Sequence, residues 1–372
     1  MDIQCLTRPL TGVGYYTLGL LRALAALEIE EKIVPFYFSR TGDVDLPPEI
    51  YGRLTPRQKR LPPRLLSLAW KRLGFPPLNW LIGEFDLYHF PDFVSRPVRD
   101  HPVVTTVYDL AFRRHPEFIE PGNLAFLRRR LSHSLLRSRA VITISEFSRR
   151  ELLELYPIQA ESVRVVPGGI DPIFRRRVTE EELAEVRYRY NLPERYVLTV
   201  GTWEPRKNLT GLLQAWRMLR EKGRTGPWRL VFTGMEGWFC DELEACFRDR
   251  AASRDLLATG YVRRSDLGAL YRGAGLFVFP SFYEGQGFPP LEAQAAGTAV
   301  AASDIPALTE NLGTGAAFFD PTSPGEMAEV IGALLDDEAA RNELAVKGQK
   351  NAELFTWEKA ARKTLAIYRE CL

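Results

Sequence analysis

Short apolar runs alternate with amphipathic stretches from one end of the chain to the other, the pattern of an α/β protein with parallel sheets. In the front half the clearest strand candidates are VVTTVYDL (103–110) and AVITI (140–144), each followed by helix-like sequence. Pro157 ends the helix after the second. VRVVPGGIDPIF (163–174) then brings a strand, two glycines and two prolines, the punctuation of a domain boundary. Beyond it the helical EEELAEVRYRY leads into a second strand series: YVLTVG (196–201), WRLVFTG (228–234), LLATGYV (256–262), GLFVFPS (275–281) and TAVAAS (298–303). Most of these end in, or run into, Gly or Ser. Ligands of doubly wound sheets sit outside the carboxyl ends of strands, where tight turns let backbone approach phosphate. The expected architecture is two Rossmann-like halves joined near residue 170.

A length of 372 residues suits two hydrophobic cores better than one, since domains run to roughly 150 residues each. Apolar content of 45 % and charged content of 26 % exclude a disordered or fibrous chain. No apolar run approaches the ~18 residues of a membrane span, and Met1–Leu10 lacks a signal-peptide core. The cysteines (Cys5, Cys240, Cys246 and Cys371) form no CxxC pair and lie away from any His cluster. That disfavours a metal framework and suits a reducing, cytoplasmic setting. The net charge of +2 hides an asymmetry, because residues 1–180 carry +6 and the remainder −4. The basic excess concentrates between Arg53 and Arg72, which meet no acid, and Leu65, Leu68, Leu73, Phe75 and Trp80 run among and after these cations. The stretch 53–80 admits two readings: a patch for an anionic membrane surface, or the solvated face of a helix. No nucleic-acid-binding signature accompanies it.

Candidate chemistry gathers in three glycine-containing turns. TGVGYYTLGLLRALAAL (11–27) sets Gly12 and Gly14 directly before an amphipathic helix. A helix start offers free N–H groups and partial positive charge, which suit a diphosphate, although a plain helix entry needs the same glycines. Thr17 stands where GxGxxG has its third glycine, so a dinucleotide fingerprint is disfavoured. GTWEPRKNL (201–209), opening at Gly201, follows a strand and is expected to begin a helix. There Arg206 offers a phosphate a planar fork and Lys207 a point charge. Two cations at a helix start oppose the macrodipole unless an anion is present; the alternative is an exposed turn with incidental cations. In PSFYEGQGFPPLEAQAAG (280–297), Gly285 and Gly287 loosen a loop, and Pro289 and Pro290 pre-set φ for a helix. Glu284 lies in that loop, where a carboxylate facing sugar hydroxyls accounts for it. Glu292, placed in the first helical turn, has helix capping as a ready alternative.

Several ordered motifs resemble the large family 4 of retaining glycosyltransferases, of the two-domain GT-B fold, over nearly the whole chain. GVGYYTLGLLRAL is similar to that family's N-terminal glycine loop and helix. DLYHFPDF (86–93), VVTTVYDLAFRRHPEF (103–118), ITISEFSRREL (142–152) and VVPGGID (165–171) resemble its front domain and the lead into its linker. GTWEPRKNL resembles its phosphate-binding turn, GYVRRSDLGALYRGA (260–274) its base-binding segment, and EGQGFPPLEAQAAG its paired-glutamate motif. FTWEKAARKTLAIY (355–368) resembles the closing helix that crosses back to the front domain.

The resemblance implies an acceptor-side domain over 1–170, a nucleotide-sugar-binding domain over 171–355 and a crossover helix over 356–372. It implies transfer of a hexose from a nucleotide-sugar to a glycan or glycolipid hydroxyl, with retained configuration and without a metal or other cofactor. Arg206 and Lys207 would neutralise the leaving diphosphate, Glu284 would bind donor-sugar hydroxyls and Glu292 the ribose. The helix start around Gly287, Phe288, Pro289 and Leu291 would present backbone N–H groups. Tyr261 and Val262 would meet the base, and Gly12 and Gly14 would line the diphosphate from the opposite domain. The GTWEPRKNL variant resembles mannosyl- and rhamnosyl-type members, which favours GDP-mannose and leaves UDP- and dTDP-sugars open. Bacterial surface polysaccharide synthesis, on the inner face of the cell membrane, is the setting this resemblance implies.

The resemblance is broken in places. Tyr108-Asp109 stands where the family has His-Asp, which puts the front-domain contact to the sugar in question. Gln286 stands where Phe is common, and Gly168-Gly169 where Asn-Gly is usual. His89 and Asp109 are expected on the cleft side of their strands, with a satisfied polar residue as the alternative for each; Asp304 reads as turn chemistry. A sugar-nucleotide epimerase or hydrolase on the same architecture, and a non-catalytic sugar-nucleotide-binding subunit, are the competing functions.

Overall fold

In the computed structural model the structure describes residues 1–8, 10–40, 44–235, 237, 241–248 and 254–372. The chain divides into two compact units, Met1–Gly169 with Thr356–Leu372, and Ile170–Phe355.

In the first unit β1 (Phe36–Phe38) pairs with β2 (Arg57–Lys59). β3 (Tyr88–Phe90), β4 (Val103–Val107), β5 (Ala140–Thr143) and β6 (Val163–Val165) form a second sheet in that order, and every pairing is parallel. Asp2 links the two sheets. It bridges to Phe36 on one side, and its N–H donates to the His89 carbonyl at 2.9 Å on the other. The spatial order is therefore β2, β1, the Asp2 segment, β3, β4, β5, β6. The chain starts in the middle, builds outward to one side, then returns to build the other. Side chains alternate across this sheet as the strand period of two requires. Val107, Val141 and Val163 pack with Leu131, Leu135 and Leu152 on one face. Val104 and Ile142, out of phase with them, pack with Leu365, Ile367 and Tyr368 of the helix Trp357–Cys371 on the other. Thr356 caps that helix by accepting the Lys359 N–H at 3.2 Å.

The basic–aromatic stretch forms β2, the helix Pro63–Leu73 and the short helix Leu78–Ile82. It is only partly a surface. Trp70 and Leu78 are buried in the core beside Phe38 and Phe90, and the Arg57 guanidinium donates to the Ile82 carbonyl at 2.5 Å and lies over the Phe85 ring. Leu65, Leu68, Leu73, Phe75 and Trp80 remain exposed, as do Arg53, Arg60 and Arg72.

The second unit contains β7 (Tyr196–Val200), β8 (Arg229–Thr233), β9 (Leu256–Gly260), β10 (Leu276–Phe279), β11 (Val300–Ser303) and β12 (Ala317–Phe319). They form one parallel sheet in the order β12, β11, β10, β7, β8, β9. Both faces are covered, which is why these strands read as apolar runs. Val197, Leu230, Phe232 and Val278 pack with Leu212 and Trp216 on one side. Leu198, Val231, Phe277 and Phe279 pack with Leu270, Tyr271 and Leu291 on the other. Each strand run named from the sequence contains a strand, and the two Rossmann-like halves expected from the pattern are what the chain forms. In this sheet the strand order reverses between β7 and β10, the kind of switch point at whose carboxyl ends doubly wound sheets hold ligands.

Candidate active site at the reversal of the second sheet

The turns that follow β7 and β10 meet at that reversal. After β7 the chain does not enter a helix directly. Pro205–Lys207 form a 3-10 turn, Asn208 adopts left-handed backbone (φ 51°), and the helix Leu209–Glu221 begins only then. Asn208 is held there by donating to the Pro321 carbonyl at 2.8 Å. Arg206 and Lys207 thus stand ahead of the helix and not on its first turn, which corrects the expected helix start. The loop after β10 is tied to this turn, with the Phe282 N–H donating to the Arg206 carbonyl at 2.9 Å.

These turns bring Arg206, Lys207 and Glu284 together. Lys207 Nζ donates to Glu284 Oε1 at 2.6 Å, and Arg206 Nη1 lies 2.9 Å from the same oxygen. Arg206 Nη2 reaches Glu204 Oε1 at 2.5 Å. All four side chains are largely shielded from water, and Lys207 lies 4.7 Å from the Phe279 ring centre. Burial alone would raise the Glu284 carboxyl, but the charges of Arg206 and Lys207 outweigh it and hold that carboxyl below its usual range. Burial, helped by Arg206, lowers the Lys207 ammonium while Glu284 and Glu204 oppose the shift. Two cations face two carboxylates, so the anions that the sequence left unnamed are the protein's own.

Gly287 ends the loop with φ 83°, a geometry that favours glycine, and a Cβ there would lie 2.4 Å from Leu308 Cδ2. It caps the helix Phe288–Ala296. Pro289 and Pro290 carry no N–H, so the amino end offers the N–H groups of Gly287 and Phe288, which have no partner among the described residues. Glu292 lies in the second turn, not the first, and is no cap. Its Oε2 accepts from Tyr271 Oη at 3.1 Å, and Arg264 Nη2 stands 3.4 Å from Oε1. Burial raises its carboxyl against the charge of Arg264.

The model described as "Glycosyltransferase Family 4" matches residues 10–174, and that described as "Glycosyl transferases group 1" matches residues 182–351. The chain is 32 % identical to the O-antigen chain mannosyltransferase B of Escherichia coli, over 97 % of this chain and 96 % of that protein. The chain belongs to glycosyltransferase family 4. It is also 31 % identical to the serotype-specific mannosyltransferase WbdA of Escherichia coli, over 80 % of this chain and 37 % of that longer protein. The sucrose-phosphate synthase of Thermosynechococcus elongatus shares the fold, with a TM-score of 0.76 at 20 % identity, over 97 % of this chain and 93 % of that one.

Other residues expected in the site of this glycosyltransferase fall differently. His89 lies within β3, not beyond its end. It is fully buried, with Nδ1 against Tyr368 Oη at 2.5 Å and Nε2 against Thr106 Oγ1 at 2.8 Å. Burial lowers its pKa to about 3, so both ring nitrogens serve the core of the first unit and the cleft-side expectation is withdrawn. Tyr108 is buried too, and its hydroxyl donates to the Pro91 carbonyl at 2.7 Å, so it does not present that hydroxyl to a sugar. Asp109 accepts the Ala111 N–H at 3.0 Å and orders the short helix that follows. Gly12 and Gly14 form the first turn of the helix Gly12–Ala26 instead of preceding it. Tyr261 is exposed, whereas Val262 and Leu291 are core side chains; the Leu291 N–H turns back to the Gly287 carbonyl. Gln286 is buried and Asp304 exposed. Cys246 lies in the helix Asp241–Arg248, and Cys240 falls outside the described residues.

One candidate was missed. Asp92, two residues beyond β3, stands at the carboxyl end of the first sheet where its strand order reverses. It is open to solvent, yet protein crowds its carboxyl: desolvation, then Asp2, raise its pKa to about 6 against the pull of Arg96 and Arg8. The signal in the sequence was an acid directly after a strand that closes in Phe-Pro.

Proposed function

We propose that this glycosyltransferase moves a hexose, with mannose from GDP-mannose as its first candidate, onto a hydroxyl of a glycan or lipid-linked glycan with retained configuration. The observation that carries the reading is the Arg206–Lys207–Glu284 cluster at the reversal of the second sheet, beside the open N–H groups of Gly287 and Phe288. A diphosphate there meets a forked cation, a point charge and a helix start, which stabilise charge as it develops on the leaving phosphate. In the step proposed, the bond from the anomeric carbon to the phosphate oxygen breaks. The acceptor oxygen bonds to that carbon on the same face, and its proton passes to the departing phosphate oxygen. Glu284 holds donor-sugar hydroxyls, Glu292 the ribose, and the backbone around Tyr261 and Val262 the base. No metal is required in this scheme. The mannosyl assignment and the setting in surface polysaccharide synthesis draw on the names of the Escherichia coli relatives.

The test is transfer from GDP-mannose, UDP-glucose and dTDP-rhamnose to a mannoside acceptor, with excess chelator, and assignment of the product anomer by NMR. An α-linked product from GDP-mannose in chelator supports the reading. Inverted product, or an absolute need for a divalent ion, overturns the corresponding part.

Membrane association is part of the same proposal. No helix among the described residues is long and apolar enough to cross a membrane. The exposed Leu65, Leu68, Leu73, Phe75 and Trp80, flanked by Arg60 and Arg72, suit peripheral binding to an anionic surface on the cytoplasmic side. Co-sedimentation with phosphatidylglycerol vesicles at low salt, lost in Leu73→Ser/Trp80→Ser, is the expected result.

A further inference from the structure

We propose that Asp92 binds the acceptor, its carboxylate taking the hydrogen bond of a sugar hydroxyl at the strand-order reversal of the first unit. The inference rests on the transfer reading above and adds to it a residue of the DLYHFPDF stretch to which that reading gives no role. In the second unit the reversal holds the charged cluster; the corresponding position of the first unit is flanked by the Asp2 segment and the end of β3. Two carboxylates stand there, and they differ. Asp2 is fully engaged, its Oδ1 accepting the Gln4 N–H at 2.8 Å and its Oδ2 accepting Arg96 Nε at 2.7 Å. Asp92 has no side-chain hydrogen bond or ion pair among the described residues.

The backbone around Asp92 is unusual as well. Phe93, the next residue, adopts φ 55°, rare for a bulky side chain. It is held there by its N–H, which donates to the Thr106 carbonyl at 2.9 Å, and by its ring, 5.4 Å from that of Tyr108. Tyr108 in turn ties down the Pro91 carbonyl. Both neighbours of Asp92 are thus anchored to β4 or the residue after it, and the carboxylate between them is left unengaged. A hydroxyl is the ligand this arrangement fits. An ionised carboxylate accepts but cannot donate, so it suits neutral donors such as sugar hydroxyls and repels phosphate. The groups that set its charge state are Asp2 and Arg96, Arg8 on the segment after Asp2, and the nearby Cys5 and Tyr108.

The experiment uses the full chain with GDP-mannose as donor and octyl α-mannobioside as acceptor, comparing wild type, Asp92→Asn and Asp92→Ser. The expected result is a fall in acceptor kcat/KM of roughly 10- to 100-fold in both variants, the loss for a hydrogen bond to a charged group. Affinity for the donor, measured by calorimetry, stays within twofold. Wild-type transfer should also fall on the acid side of about pH 6, a limb absent from Asp92→Asn. Unchanged acceptor kcat/KM in either variant, or equal loss of donor affinity, overturns the inference while leaving the transfer reading intact. Wild type that binds GDP-mannose yet transfers to no mannoside removes that reading and this inference with it.

Discussion

If the proposed donor site is right, the internal neutrality of the Arg206–Lys207–Glu204–Glu284 cluster should make donor binding a proton-coupled event. When the diphosphate of a nucleotide-sugar takes up the two cations, Glu284 loses the partners that keep it ionised and acquires an anionic neighbour. At 2.6 and 2.9 Å, and an effective dielectric of about 20, each attraction is about 6 kcal/mol before desolvation. One pKa unit corresponds to about 1.4 kcal/mol, so partial loosening of one contact suffices to move a buried carboxyl upward by a large step. The bound complex then takes a proton from solution at Glu284. Calorimetry of GDP-mannose binding in buffers of different ionisation enthalpy measures that uptake directly, and a sugar diphosphate diester does not itself titrate near neutrality. Over the pH range in which that proton is taken up, the apparent Kd should rise with pH by up to about tenfold per unit. Glu284→Gln should abolish both the uptake and the slope. Lys207 is the competing source, since burial lowers its ammonium and a bound phosphate would restore it. Lys207→Arg cannot titrate and should retain the uptake. Tight binding by wild type with no buffer dependence would refute the argument, as would uptake that survives Glu284→Gln and disappears in Lys207→Arg.

Three further outcomes follow from the same contacts. Lys207→Ala should lower transfer by about 10²- to 10³-fold, as removal of a preorganised charge contact does, and should also lower Tm because Glu284 keeps only one buried cation. Tyr108→Phe deletes a hydrogen bond to the Pro91 carbonyl and should cost about 1 kcal/mol in denaturant unfolding while nucleotide-sugar affinity is unchanged. His89 is folded in its neutral form with a pKa near 3, against an ordinary 6.5, so the unfolded chain binds the proton first. Stability should decline as pH falls from about 6.5 toward 3, by up to about 1.4 kcal/mol per pH unit, and His89→Gln should flatten that decline in urea melts at pH 4.5 and 6.5.

The layered α/β architecture was legible because both faces of the second sheet are buried, and runs such as YVLTVG and GLFVFPS carry that burial openly. Arg206, Lys207 and Glu284 were legible as residues because glycines and prolines surround them. Their pairing was not, since it depends on β7 and β10 being neighbours although 75 residues lie between Gly201 and Phe277 in the chain. The helix start after β7 was misplaced because a single left-handed Asn208 separates the turn from the helix. His89 is expected at the cleft because it reads as following a strand end, and Tyr108 is expected on the sugar side because it stands where the family has His. What decided otherwise was tertiary: Tyr368 from the far end of the chain and the Pro91 carbonyl each claim a polar atom. Asp92 escaped notice because its significance lies in the sheet order, to which the Asp2 segment contributes a single bridge.

The helix Trp357–Cys371 has a consequence for biosynthesis. His89 and Tyr368 are 279 residues apart, and Val104 and Ile142 wait on the same helix for one face of their core. At roughly 5–20 residues per second a ribosome needs on the order of half a minute to make that span. Throughout that interval one side of the nascent first sheet lacks its cover, while Ile170–Phe355 contains every strand of its own sheet and is free to fold. The unit begun first is therefore the one finished last, and a nascent chain stalled after residue 355 should expose Val104 and Ile142 to chaperones.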